Sequence, residues 1–243
     1  MAKTGTLYGV GLGPGAADLL SVRADKLVRN AKHVAFFRKQ GRAGHGRQIA
    51  EGLLRSDVIE FPMEYPVTTE IPLSDPRYNE ILAAFYETSV AHIYALLTSG
   101  EDVIVLCEGD PFFYGSFMHI YTRLQDKAQI EVVPAITGMS GAWTATSAPI
   151  TWGDDILTVL MGTLPEATLA DNLRQTDAAI IMKIGRNLPK ITSALKTSGR
   201  YEDAYIVEYA TMAGETISPL HSYEADKAPY FSIIVLHGHG RRP

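Results

Sequence analysis

Two apolar segments of this chain each run straight into a glycine turn. Gly5-Thr6-Leu7-Tyr8-Gly9-Val10 leads into Gly11-Leu12-Gly13-Pro14-Gly15, and Val103-Ile104-Val105-Leu106-Cys107 leads into Glu108-Gly109-Asp110-Pro111. In a parallel sheet, ligands collect outside the carboxyl ends of the strands, where small residues let backbone N–H and C=O groups approach them. The chemistry offered is therefore binding by main-chain groups. A dinucleotide fingerprint would need glycine at position 16, where Ala16 stands, and Pro14 removes a donor that a pyrophosphate would use. The next strand ends in Phe37-Arg38 without the acid that holds an adenosine ribose, so a nicotinamide enzyme is excluded.

Other residues could do chemistry of their own. Tyr114, just beyond the Gly-Asp-Pro turn, could orient a ligand or relay a proton, or it could simply pack. From Lys26 to Ala50 there is no acid, and Arg38, Lys39, Arg42 and Arg47 fall in or beside a Gly-rich loop that either binds a polyanionic ligand or is merely solvated. Cys107 is the only thiol and, at the end of an apolar strand, reads as a small hydrophobe in a reducing cytoplasm. His237 and His239 lack spaced Cys, Asp or Glu partners, and His92 and His119 fall in helical segments, so no metal site is expected.

The elements that must position these residues alternate. Strands are expected near 5–10, 33–37, 58–61, 103–107 and 130–134, with helices near 16–30, 46–54, 77–98 and 115–125, a pattern that implies a parallel sheet. Residues 62–76 carry four prolines and read as a long loop, a candidate lid. After the small-residue stretch Thr137–Ala142, strands follow near 156–161, 178–184, 204–209 and 231–236, with helices near 166–173 and 187–198. Two α/β domains are expected, 1–135 and 136–243, in a chain of 243 residues that is 46% hydrophobic and 20% charged. The net charge of −5 argues against a nucleic-acid binder. No apolar run approaches the roughly 18 residues needed to cross a bilayer, and the start of the chain leads at once into a strand, so neither a membrane anchor nor a signal peptide is expected.

Taken in order along the chain, these motifs resemble the tetrapyrrole methyltransferases. Val10–Gly15 with Asp18-Leu19-Leu20-Ser21-Val22-Arg23-Ala24 is similar to that family's opening, Gly109-Asp110-Pro111 to its second signature, and Val132-Val133-Pro134-Ala135-Ile136-Thr137-Gly138 to its third, with Ala135 where glycine is usual. Ile181-Met182-Lys183-Ile184 and Glu208-Tyr209-Ala210-Thr211 resemble two later strand ends that line the same pocket. The resemblance implies a two-domain α/β fold with a parallel five-stranded first sheet, a mixed second sheet, and the active site between them. It implies S-adenosylmethionine as cofactor, left as S-adenosylhomocysteine, with Pro14, Glu108, Gly109, Asp110, Thr137, Gly138, Met182 and Ala210 around it, and a homodimer.

Within the family, Phe36-Phe37-Arg38-Lys39, Phe61–Pro66, Gly109–Phe117 and Pro229–Ile233 are most similar to the branch that methylates the C-20 meso carbon of precorrin-2 in cobalamin biosynthesis. That substrate is rich in carboxylates, which gives Arg38, Lys39, Arg42 and Arg47 a role as clamps, and Tyr114 one as orienting or proton-relaying group. Methyl transfer from a sulfonium needs alignment more than covalent help, so neither a metal nor an enzyme-bound intermediate is expected. The alternatives are a cobalt-containing C-20 substrate, uroporphyrinogen or another ring carbon; ribosomal RNA or a diphthamide precursor, which relatives of this fold methylate; and a non-catalytic nucleotide-binding module.

Overall fold

The computed structural model describes residues 4–67, 71 and 75–241, so Met1, Ala2 and Lys3 and most of the expected lid beyond Val67 lie outside the described residues. The chain forms two compact units, Met1–Thr137 and Gly138–Pro243.

The first unit is a doubly wound parallel sheet. Its strands β1 (Thr6–Gly11), β2 (His33–Lys39), β3 (Ile59–Tyr65), β4 (Val103–Cys107) and β5 (Gln129–Val133) stand in the order β3-β2-β4-β1-β5. The central β4 is buried at every residue, which is why it reads as an unbroken apolar run. Helices α1 (Val22–Asn30) and α2 (His45–Ile49) cover one face through Ala24, Val28 and Ile49, packed with Val34, Phe36, Ile104 and Leu106. Helices α3 (Pro76–Thr98) and α4 (Phe117–Leu124) cover the other through Tyr86, Val90, Ile93, Phe117 and Ile120, packed with Leu7, Ala35, Val103 and Val105. Local chemistry sets the helix starts: the Ser21 hydroxyl accepts from the Ala24 N–H at 3.1 Å, and Asp75 caps α3 at the Arg77 N–H at 3.0 Å with Pro76 in the first turn.

Two boundaries and one apolar run differ from expectation. β3 runs on through Pro62 to Tyr65, because it is the edge strand and an edge needs no donor on its outer side. Helix α2 stops at Ile49, and residues 50–54 form turns. By length and composition α3 is apolar enough to cross a membrane, although its inward face already packs on the sheet.

The second unit is a mixed sheet in the order β6-β7-β10-β8-β9, built from β6 (Leu157–Met161), β7 (Ala178–Met182), β8 (Ala204–Glu208), β9 (Thr216–Pro219) and β10 (Ser232–Leu236). Helices α6 (Glu166–Arg174) and α7 (Leu188–Thr197) pack on one face with Ile181, Ile206 and Ile234. The other face carries α5 (Gly138–Ala145), whose Ala142 meets Ile180, Val207 and Val235. Neither α5 nor β9 is evident from periodicity. Gly138, Ser140 and Gly141 are poorer helix formers than alanine, but such small residues let α5 lie close on the sheet, and that burial outweighs their propensity.

Gly9 sits against the ring of the buried Phe117, and a Cβ there would come within 2.4 Å of Cε1 and Cζ. Gly9→Ala should therefore lower the unfolding free energy by roughly 1–3 kcal/mol. Denaturant melts should show that loss, and Phe117→Leu in the Gly9→Ala background should return part of it. Unchanged stability in the single variant would contradict this packing.

Candidate functional site

Strand order places the two glycine turns side by side. From β1 the chain crosses to β2 on one side, and from β4 it crosses to β5 on the other, so the neighbours β1 and β4 flank the point where the sheet reverses its order of winding. A crevice opens at such a switch point. Beyond the strand ends the Leu12 N–H donates to the Cys107 C=O, and the Gly109 N–H donates to the Gly13 C=O, both at 2.9 Å. Gly13 (φ 78°) and Gly109 (φ 63°) are both left-handed, a conformation that a side chain would strain. A Cβ on Gly11 would lie 2.6 Å from that of Ala135 and 2.8 Å from the Gly109 oxygen.

Asp110 ties the second turn to the third motif. Its Oδ1 accepts from the Phe112 N–H at 2.9 Å and its Oδ2 from the Ala135 N–H at 3.0 Å. The carboxylate is therefore spent on structure, and what Asp110 can offer a ligand is main chain. Ala135, unusual by resemblance, fits here because its methyl fills the space Gly11 leaves.

Glu108 is half-buried at the end of β4. Burial pushes its carboxyl up to about 7, against a hydrogen bond from the Gly46 backbone that favours the ionised form. Cys107 is buried, its Sγ 3.4 Å from the Val105 oxygen, and burial together with the neighbouring Glu108 and Asp110 pushes the thiol up, away from the nucleophilic thiolate.

Backbone strain collects at the strand ends of both units. Among the described non-glycine residues, five have positive φ, and four of these follow strands that carry expected site residues: Tyr114 (54°), Lys183 (55°), Tyr209 (52°) and Thr211 (67°). Each such residue costs of order 1–3 kcal/mol, and strain of this kind gathers at ligand sites. Tyr114 is 47% exposed, its ring edge-on to Phe113 with centroids 4.9 Å apart. In the second unit β7 and β8 both run antiparallel to β10. Their ends therefore lie at one edge of the sheet, and Met182 and Ala210 pack on the α5 side of it. Thr137 and Gly138 lead into α5.

Two of the four basic residues hold carboxylates of β3. Arg38 donates through Nε (2.8 Å) and Nη2 (2.5 Å) to Oε1 of Glu64, its cross-strand neighbour on β3. Arg47 holds Glu60 at 2.9 Å. Glu60 and Glu64 lie four residues apart on one strand, about 13 Å. Arg47 therefore braces the start of the sheet edge and does not belong to a clamp with Arg38. Lys39 ends β2 and Arg42 follows it; burial, with the Arg42 charge added, lowers the pKa of His45 against its hydrogen bond to Gln48 Oε1.

The histidines are occupied structurally. His237 bridges Thr146 Oγ1 and the Pro149 carbonyl, each at 2.9 Å; His92 stacks on Phe61 and His119 on Tyr86. Among the described residues no group of three or more His, Cys, Asp or Glu could hold a metal ion.

Residues 6–225 match the model of the Tetrapyrrole (Corrin/Porphyrin) Methylases. The chain is 48% identical over 239 residues to the precorrin-2 C(20)-methyltransferase of Sinorhizobium sp, covering 98% of both sequences. It is 27% identical to the cobalt-precorrin-2 C(20)-methyltransferase of Salmonella typhimurium, with 96% of both covered. In fold it is similar to the uroporphyrin-III C-methyltransferase of Thermus thermophilus solved with S-adenosylhomocysteine, at a TM-score of 0.66 and 20% identity, over 96% of this chain and 97% of that one.

Because folding raises the Glu108 carboxyl from its ordinary 4.5 to about 7, the folded protein holds a proton across that interval that the unfolded chain releases. Its contribution to stability is full below about pH 4.5 and is lost as the pH rises through 7. Glu108→Gln removes the titration. In thermal melts the melting temperature of the native protein minus that of Glu108→Gln should therefore fall between pH 5 and pH 8, and a constant difference would count against this environment.

Proposed function

The chain belongs to the tetrapyrrole methylase family, and from that premise we propose that it transfers a methyl group from S-adenosylmethionine to C-20 of precorrin-2, giving precorrin-3A in cobalamin biosynthesis. The observation that carries the choice of substrate is the full-length identity to the relative named for precorrin-2, well above that to the relative named for the cobalt-containing compound.

The residues fit the cofactor. Its adenosine and amino-acid ends need main-chain partners, and the joined turns of the first unit present glycine backbone at Gly11, Gly13 and Gly109. Pro14, Glu108, Gly109, Asp110 and Thr137 in the first unit, and Gly138, Met182 and Ala210 in the second, are the residues that would hold it. Use of S-adenosylmethionine is further supported by the S-adenosylhomocysteine complex of the same fold. When bound, the cofactor supplies a methyl group on a sulfonium, a good leaving group. The protein's task is alignment and exclusion of water. Tyr114, exposed and held left-handed, orients the ring or takes part in moving the proton that C-20 must lose. Lys39 and Arg42 meet the substrate carboxylates, and Arg38 joins them only by sharing itself with Glu64. Arg47 stays with Glu60.

No metal is needed in this mechanism, and neither nucleic acid nor a membrane takes part; the net charge of −5 supports the former. A homodimer in the cytoplasm belongs to the same reading, supported by the family resemblance.

Incubation of chelator-treated enzyme with precorrin-2 and methyl-labelled S-adenosylmethionine should place the label on C-20 by NMR, with cobalt-precorrin-2 converted at least about tenfold more slowly. Gly109→Val should abolish S-adenosylhomocysteine binding in calorimetry while the protein remains folded. Label at another carbon, preference for the cobalt substrate, or activity restored only by an added divalent ion would each overturn the corresponding part.

A further inference from the structure

The segment joining β8 to β9 is built against its own backbone preference. Glu208 and Thr216 pair across the two strands, so seven residues make a turn that two to five could make. Two of them, Tyr209 and Thr211, are left-handed without being glycine, although Gly214 in the same loop is glycine at φ 89°. Were reversal of the chain its only purpose, glycine at 209 and 211 would achieve it without strain.

Main-chain bonds account for part of what holds the turn: the Tyr209 N–H donates to the Phe231 C=O at 2.8 Å, and the Met212 N–H to the Tyr209 C=O at 2.8 Å. The rest comes from two carboxylates. Glu215 Oε2 accepts from the Thr211 N–H at 2.6 Å. Glu208 fixes the base of the turn, accepting from the Tyr223 hydroxyl at 2.5 Å on Oε1 and from the Thr216 hydroxyl at 3.0 Å on Oε2. Burial and the Glu208 charge push the Tyr223 phenol up to about 12, so it remains a donor at neutral pH. Between the two clamped residues, Ala210 is partly buried, and its own N–H and C=O make no hydrogen bond among the described residues. A main-chain donor and acceptor left open at a strand end, with strained and fastened residues on both sides, is a ligand-binding arrangement.

We propose that Glu215 is a positioning residue, which by holding the Thr211 N–H fixes the Ala210 peptide in the orientation that binds S-adenosylmethionine, while Glu208 anchors the turn from below. This rests on the reading that Ala210 lies against the cofactor. Glu215 itself touches no reacting atom, so its effect falls on cofactor binding and leaves the ring substrate alone.

The test compares Glu215→Ala, Glu215→Gln and Glu215→Asp with the native enzyme. The readouts are S-adenosylhomocysteine affinity by calorimetry, separate KM values for S-adenosylmethionine and precorrin-2, and melting temperature. Glu215→Ala should bind S-adenosylhomocysteine about tenfold more weakly and raise the S-adenosylmethionine KM to match, with the precorrin-2 KM and melting temperature unchanged. Glu215→Gln keeps an acceptor oxygen at the same reach and should recover to within about threefold. Glu215→Asp, one methylene short, should behave like the alanine variant. If the native enzyme binds S-adenosylhomocysteine and Glu215→Ala binds it equally well, the proposal fails and the cofactor reading stands. If affinity falls only in step with melting temperature in all three variants, Glu215 is structural and the proposal also fails. If the native enzyme does not bind S-adenosylhomocysteine, both fail together.

Discussion

The first unit depends on how closely the ends of β1 and β4 can approach. The hydrogen bond from the Gly109 N–H to the Gly13 carbonyl makes an isolated antiparallel bridge just past the end of the parallel β1–β4 pairing, tying together turns where a sheet would normally splay. It exists only because both partners are left-handed and because Gly11 presents no Cβ to Gly109 and Ala135. Asp110 then fastens the segment after β5 to the same point through the Ala135 N–H. Three loops from three strands are thus held by main chain and one carboxylate, with glycine backbone bared at the junction and Phe112, Tyr114 and Ile136 exposed around it. Such a surface suits a ligand recognised by shape and backbone hydrogen bonds.

The second unit reaches a similar end by a different route. Its strand ends carry Lys183, Tyr209 and Thr211 in left-handed conformations where glycine would have been easier. The cost is offset locally by Glu208, Glu215 and Tyr223. Permissive glycine serves where strand ends must touch, and strained side-chain residues serve where a peptide must be presented. The distinction has a thermodynamic consequence: a glycine turn loses entropy on folding, whereas a clamped turn stores strain that is relieved if the clamp is removed.

Much of this was legible in the sequence. The α/β class, the parallel first sheet and the two glycine turns follow from local patterns of strand then glycine, and the mixed second sheet from the family that the order of the motifs resembles. What was not legible depends on partners distant in sequence. Pro62 hid the second half of β3, and with it Glu64, so that Arg38 read as an available cation when its neighbour on the next strand already held it. Arg47 read as available for the same reason: its partner Glu60 lies on a strand whose position beside it no local pattern reveals. Helix α5 was obscured by small residues whose advantage is close packing, and Glu215 by lying on a loop with no periodicity at all.

The pairing of Arg38 also bears on how a polycarboxylate could be recognised. An arginine already bonded to Glu64 is preorganised, losing less side-chain entropy when a ligand arrives, yet part of its charge is spent. Lys39, paired with Tyr65 at the last position of the β2–β3 ladder, and Arg42, in the loop beyond it, add positive charge at the same end of β2. Several cations gathered at one strand end discriminate poorly between single carboxylates but well between ligands with many and with few. On the proposed function, a cofactor with one carboxylate would gain little from such a surface, and the two ligands would be sorted by the type of contact each requires: main chain at the joined turns for one, and positive charge at the end of β2 for the other.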